Sequence, residues 1–259
     1  MTSLEMTMTD KIALITGGSR GLGRSAAIHL AKQGVGVVLT YLSRSDEANS
    51  VVTKIENLGG RAAALQLNTG ETAQFASFTE RLADTLDQVW GRQSFDYLVN
   101  NAGIGINSAF AETTEDEFDT LMSIHVKGVF FLTQRLLQLI EDGGRIVNLS
   151  SGLARFSLPG YAAYGTMKGA VEVLTRYMAQ ELGPRGIAVN AIAPGAIETD
   201  FGGGMVRDNS EINQFVAAST AMGRAGLPED IGGAIASLLV GDNQWMTAQR
   251  IEVSGGMNL

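Results

Sequence analysis

The sequence predicts an α/β fold, a single doubly wound parallel sheet of about seven strands with helices on both faces. Three observations carry that prediction. Short, near-continuous apolar runs alternate with amphipathic stretches, the pattern of parallel strands covered on both sides. The first run, residues 11–16, ends in the glycine turn GGSRGLG and leads into an apolar periodicity at Leu22, Ala26, Ala27 and Leu30, which reads as strand, turn and helix. No linker, composition shift or short repeat interrupts the alternation, so residues 1–259 read as one domain.

The elements follow in order. Residues 1–10, MTSLEMTMTD, lack a charged segment followed by an apolar one, so they read as a loose lead-in and not as a signal peptide. After the first strand and helix, residues 36–41 (GVVLTY) read as strand two, 46–57 as a helix and 62–67 as strand three. Residues 72–90 read as a helix with Phe75, Phe78, Leu82 and Leu86 on one face. Strand four is 97–100. Residues 114–140 read as one long helix whose acidic first turn, Glu115, Asp116 and Glu117, complements the helix dipole. Residues 145–149 (RIVNL) are strand five, the next helix carries Tyr164 and runs to about Gly183, and 187–192 is strand six. Pro228, Glu229 and Asp230 open a last helix with Ile231, Ala234, Ile235 and Leu238 inward, and a final strand lies within 249–256.

Composition removes several classes of function. A formal charge of -8 argues against nucleic acid or anionic membrane as a partner, since both need a basic surface, and an acidic carrier protein would be repelled too. With no cysteine and only His29 and His125, neither a thiol nucleophile nor a Cys- or His-based metal site is expected. No apolar run approaches the roughly 18 residues of a membrane span. The cytoplasm is the expected location.

Three side chains near the end of strand five suggest the chemistry. Ser151 should sit at a strand's carboxyl end, where open α/β sheets place ligands. Tyr164 and Lys168, four apart on a helix, share one face. A phenol with a reference pKa near ~10 is a poor base at neutral pH. A neighbouring ammonium would lower that value, and a serine hydroxyl could hold a substrate oxygen. Tyr164 is then the acid/base, Lys168 its tuner and Ser151 the positioner, for a carbonyl that gains a proton or an alcohol that loses one. Tyr161 has Gly165 four residues on and no such tuner. The plainer alternative is a core tyrosine beside a solvated lysine. In the glycine turn, Gly17, Gly21 and Gly23 clear space for a backbone close to a ligand, and the following helix offers free N–H groups to a pyrophosphate. No Gly-Lys-Ser/Thr follows, which excludes a P-loop.

With TGGSRGLG at 16–23, NNAG at 100–103, Ser151, Tyr164-x-x-x-Lys168, Pro194-Gly195 followed by Thr199, and QRIEVSGG at 249–256, the chain resembles the short-chain dehydrogenase/reductase family along nearly its whole length. It is most similar to members of the 3-oxoacyl-carrier-protein-reductase type. The resemblance implies a Rossmann-like sheet, a bound nicotinamide dinucleotide and hydride exchange with a small carbonyl or secondary alcohol. By that resemblance the glycine turn (Gly17, Ser19, Arg20, Gly21, Leu22, Gly23) holds the pyrophosphate side, and Asn68 and Thr69 border the adenine. Asn101, Ala102 and Gly103 line the cofactor site, and Tyr164 and Lys168 reach the nicotinamide ribose. Pro194, Gly195, Ile197 and Thr199 meet the carboxamide end. Residues 200–222, with glycines at 202–204, would form a substrate lid, and the assembly would be a homotetramer.

Two features refine the expectation. Strand two ends in Tyr41, followed by Ser43 and Arg44, where an acidic residue would select NAD; with Arg20 nearby, NADP(H) is expected over NAD(H). His125 stands where the family commonly has an asparagine; if its side chain takes part in a proton relay to Lys168 it is catalytic and adds a group titrating in the working range, whereas a relay through the backbone carbonyl, or simple packing, would leave the imidazole without that role. Two other functions stay open on the sequence: a dinucleotide-binding regulator without turnover, and a nicotinamide-dependent epimerase or dehydratase.

Overall fold

A computed structural model describes residues 10–259, so only Asp10 of the expected lead-in falls within the described residues. The strands are β1 (Ile12–Ile15), β2 (Gly36–Tyr41), β3 (Ala62–Gln66), β4 (Phe95–Asn100), β5 (Ile140–Leu149), β6 (Ala188–Pro194) and β7 (Arg250–Val253). They form one sheet in the order β3-β2-β1-β4-β5-β6-β7, and every neighbouring pair is parallel. Parallel pairing follows from the covered faces, because each strand must bury both sets of alternating side chains. Ala13, Ile15, Val37, Leu39 and Val99 point to one face, where they meet α1 (Gly21–Lys32), α2 (Ser45–Asn57) and α9 (Pro228–Val240) through Leu30, Ile55 and Ile235. Ile12, Leu14, Val38 and Leu98 point to the other. There α3 (Phe75–Trp90), α5 (Gly128–Leu136) and α6 (Ala162–Leu182) cover them with Phe78, Leu82, Leu132 and Ala179. Each such fully buried side chain contributes about 1.5–3 kcal/mol of transfer free energy.

The strand order reverses between β1 and β4, and in such sheets the crevice beyond the carboxyl ends at this point takes the ligand. Both sequence-predicted landmarks of that crevice, the glycine turn after β1 and NNAG after β4, lie there.

The expected helix over 114–140 divides and ends early. It consists of α4 (Glu115–Met122), a π-helical turn at Ser123–Lys127, and α5, which stops at Leu136. Ile140 is already in β5, paired with Phe95 and buried, so strand five starts five residues before Arg145. Residues 141–144, unassigned between the expected helix and strand, belong to β5, where a register shift lies between Phe95 and Tyr97 and Gly143 has φ +76°. Residues 72–74 form a 3-10 turn ahead of α3. Thr114 caps α4 with a capping box through Glu117, as its sequence position suggests. Between β6 and α9 lie a turn at Phe201–Gly204, α7 (Met205–Asp208) and α8 (Ser210–Ala218), over the carboxyl ends of the strands.

Candidate active site

The glycine turn and NNAG are built into each other. Gly17 has φ +65°, and a Cβ there would stand 3.0 Å from the Ala102 Cα, so only glycine lets these two backbones approach. Asn101 Nδ2 donates to the carbonyls of Thr16 (2.8 Å) and Gly17 (3.0 Å), while Thr16 Oγ1 accepts from the N–H groups of Asn101 and Ala102, each at 3.0 Å. No side chain caps the N-terminus of α1, which leaves its first amides available to an anion.

Beyond this turn opens a cleft of about 1020 Å³ that runs from the β2 end to the lid segment. All of the predicted catalytic residues and all but three of the predicted cofactor residues line it. Gly23 does not: a side chain at that position would overlap the Gly17 carbonyl, so this glycine serves helix-to-turn packing. Ser43 and Arg44 also lie outside the lining, and Arg44 is exposed with its guanidinium on Glu47 at 2.6 Å. Arg20 does reach the cleft, where it faces Asp200 at 3.4 Å. The dinucleotide fits this half of the cleft: a backbone cradle closed to Cβ atoms and uncapped helix amides match its pyrophosphate, and the cleft-facing Arg20 guanidinium is left for a further phosphate.

Ser151, Tyr164 and Lys168 meet at the centre. Ser151 follows β5, and its hydroxyl accepts from the Leu153 N–H at 3.2 Å and lies beside the Tyr164 phenol, whose pKa it works to lower. Tyr164 and Lys168 are both buried on one face of α6, with Lys168 Nζ 5.5 Å from the phenol ring centroid and donating to the Leu149 carbonyl at 2.7 Å. The expected lowering of the phenol does not hold in this state. Burial disfavours the phenolate and raises Tyr164, against which the Ser151 hydrogen bond works. Burial also lowers Lys168, to about 7. Buried charges of both signs are penalised, which favours the neutral phenol.

His125 corrects the sequence reading. Its place in the π-helical turn buries it to 1% exposure, edge-on to Tyr164 at 5.4 Å between ring centroids. Nε2–H donates to the Ile104 carbonyl at 2.8 Å, and Nδ1 has no hydrogen-bond partner among the described residues. Burial and then the Lys168 charge push its pKa down to about 3. The imidazole is therefore neutral across the working range and does not titrate there. Gly103 is glycine for its sake, since a Cβ would stand 2.6 Å from His125 Cε1.

Several lining residues escaped the sequence reading. Tyr161 lies one helical turn before Tyr164, a spacing that could have flagged it; its ring is 6.4 Å from that of Tyr164. Gly105 receives the Phe201 ring, which stands 5.7 Å from Tyr164. Asn107, Phe215 and Met257 come from three distant stretches, and no local pattern marks them. Phe156, Leu158, Phe201, Met205 and Val206 line the cleft and make its substrate side partly apolar.

This sheet, with its crevice at the carboxyl ends of the strands, is the Rossmann-like architecture of nicotinamide-dependent oxidoreductases. A family model described as enoyl-(acyl carrier protein) reductase matches residues 17–258. A probable tetrahydroxynaphthalene reductase of Zymoseptoria tritici is 34% identical, with 96% of this chain and 94% of the relative covered. Among solved structures, the promiscuous reductase LugOII, which catalyses keto-reduction at C1 during lugdunomycin biosynthesis, is 37% identical with a TM-score of 0.92, covering 97% of this chain and 99% of that one. The landomycin C-6 ketoreductase LanV with bound NADP and rabelomycin is 36% identical with a TM-score of 0.88, covering 96% and 97%. The chain belongs to the short-chain dehydrogenase/reductase family and is an oxidoreductase of that family.

Proposed function

We propose that this protein is an NADPH-dependent ketoreductase whose substrate is a flat, largely apolar ketone on a fused aromatic ring system. The observation that carries the reading is geometric: Ser151, Tyr164 and Lys168 meet at the centre of a cleft whose other end is the glycine cradle. Carbonyl reduction needs a proton donor at the oxygen, and a phenol kept neutral by burial supplies one; alcohol oxidation would need the phenolate instead. The glycine cradle would hold NADPH, which when bound would supply the hydride. Ser151 holds the carbonyl oxygen within reach of the phenol, Tyr164 gives it a proton, and the buried Lys168 stabilises the charge left on Tyr164 as the proton departs.

The choice of ketone rests on the lining of the substrate half. Phe156, Phe201, Phe215, Tyr161 and Met257 line the cleft, with the Tyr161 and Phe201 rings beside Tyr164, an aromatic-rich lining that suits a planar aromatic guest. Relatives named for hydroxynaphthalene and a neighbour that holds rabelomycin support the same class. The net charge of -8 disfavours a thioester delivered on an acidic carrier protein. For the cofactor, Arg20 in the cleft, the absence of an acid at the end of β2, and NADP in LanV support NADP(H) over NAD(H).

Residues 200–222 act as the lid in this reading, with Gly202, Gly203 and Gly204 all at positive φ as the segment able to change course. No helix among the described residues is long and apolar enough to cross a membrane. Cytoplasmic residence and a homotetramer belong to the reading on the strength of the family resemblance; the half-exposed rings of Phe130 and Phe131 on α5 offer surface for such an assembly. The test is a panel of tetralones, naphthols, aliphatic ketones and β-ketoacyl thioesters with NADPH and with NADH, following loss of the reduced cofactor. Turnover of tetralone-type ketones with NADPH above all others is expected; preference for thioesters or for NADH would overturn the corresponding part.

A further inference from the structure

A chain of alternating charges runs behind the substrate half of the cleft. Glu172 lies on α6 one turn beyond Lys168, so Tyr164, Lys168 and Glu172 share a stripe of that helix. Its carboxylate accepts from the Ser150 hydroxyl and from Arg250 Nε, each at 2.6 Å. Arg250, on β7, spends its remaining donors on Glu252 (2.9 Å) and on the Ser151 carbonyl (3.3 Å). Glu252 takes a two-pronged contact from Arg155 at 2.7 and 2.8 Å, and Arg155 completes the run by donating to the carbonyls of Met257 (2.8 Å) and Asn258 (3.0 Å). All four charged side chains are at least half buried, and each charge has an opposite neighbour.

We propose that Glu172, Arg250, Glu252 and Arg155 form a positioning ladder for the substrate wall, with Ser151 held at one end and Met257 at the other. The proposal rests on the ketoreductase reading of the site. Ser151 belongs to a loop, yet it must meet Tyr164 on a helix, and a reacting group misplaced by about 1 Å can cost up to ~10²-fold in rate. The ladder ties that loop to the helix stripe that carries Tyr164. At its far end Arg155, which follows Ser151 by four residues and lies 5.4 Å over the Phe156 ring, fixes Phe156 and Met257 as neighbours in the lining. Burial works to raise the Glu252 carboxyl, but the hydrogen bonds from Arg155, Arg250 and Ser254 outweigh it and hold the pKa at about 2, so Glu252 stays ionised throughout the working range.

The two ends predict different kinetic losses. With the best ketone of the panel, Arg250→Met should lower kcat by roughly tenfold or more, because Ser151 loses its tether, while KM for NADPH stays within about twofold. Arg155→Met should raise KM for the ketone by about fivefold or more with kcat nearly kept. Arg250→Lys keeps the charge but not the fork and should fall between. Where Arg250→Met folds poorly because Glu172 is left unpaired, the double variant Glu172→Gln/Arg250→Met removes that charge and should regain thermal stability without regaining kcat. Amide exchange gives a readout free of turnover: residues 150–156 and 250–258 should exchange faster in each variant. Wild-type silence toward every ketone would defeat the ketoreductase reading alone. Unchanged exchange in both segments, or a double variant that regains kcat with its stability, would overturn the ladder.

Discussion

The two halves of the cleft are made by different means. The cofactor half is backbone meeting backbone: Gly17 against Ala102, Asn101 bonded to the Thr16 and Gly17 carbonyls, and the uncapped start of α1. The substrate half is side chain meeting side chain: Phe201 on Tyr164, Phe156 under Arg155, and Met257 brought in from the chain's end. Backbone proximity tolerates few residue types, so it leaves glycines and asparagines at fixed spacing. Side-chain walls tolerate many apolar shapes and leave no such record. The first half is therefore the part a family shares, and the second the part free to choose a substrate.

Substitutions can break this division or sharpen it. The largest effect is expected at the shared centre. Tyr164→Phe should cost roughly 10²-fold or more in kcat, the usual weight of a general acid, with NADPH affinity nearly intact by fluorescence titration. Next comes the cofactor half, where Arg20→Ala should weaken NADPH by about tenfold and leave NADH almost unchanged, as expected for one lost charge-assisted hydrogen bond of about 1.5–3 kcal/mol. Equal loss for both cofactors would remove Arg20 from the 2′-phosphate. In the substrate half, Phe201→Ala should raise KM for fused-ring ketones by several-fold, about 1 kcal/mol for one lost ring contact, and spare kcat for a small aliphatic ketone.

The smallest effect on rate is expected at His125, where the effect on stability is clearer. With its pKa pushed down to about 3 by burial, kcat against pH should have the same shape for wild type and His125→Asn between about pH 5 and 9. In stability the sign is fixed by the lowered pKa. Below about pH 6.5 the unfolded chain takes up a proton that the folded one refuses, so wild type should lose stability relative to His125→Asn as pH falls, by up to about 1.4 kcal/mol per pH unit. Urea midpoints at several pH values measure it; parallel curves would show an imidazole that titrates normally.

The sequence made the sheet, its parallel sense and the shared centre legible, because apolar runs and glycine spacing record backbone constraints directly. What it hid has physical reasons. The break at Ser123–Lys127 is invisible to apolar periodicity, since a π-helical turn shifts the register without changing composition. Ile140 reads as helix because an isoleucine after an amphipathic run fits either element until Phe95 pairs with it. His125 looks like a titrating group until its burial is known, and Arg44 looks like a phosphate contact until it is seen turned to Glu47. The Lys168 ammonium was expected to lower Tyr164, but desolvation raises one pKa and lowers the other, and burial is a property of the fold that spacing does not carry.

The most direct measurement is NADPH consumption by wild type and Tyr164→Phe with a tetralone as substrate, with the alcohol product identified by mass spectrometry. A neutral, buried phenol acting as proton donor predicts steady turnover to the alcohol by wild type, and loss of roughly 10²-fold or more in the variant at unchanged NADPH binding. Turnover by Tyr164→Phe within about tenfold of wild type would contradict it.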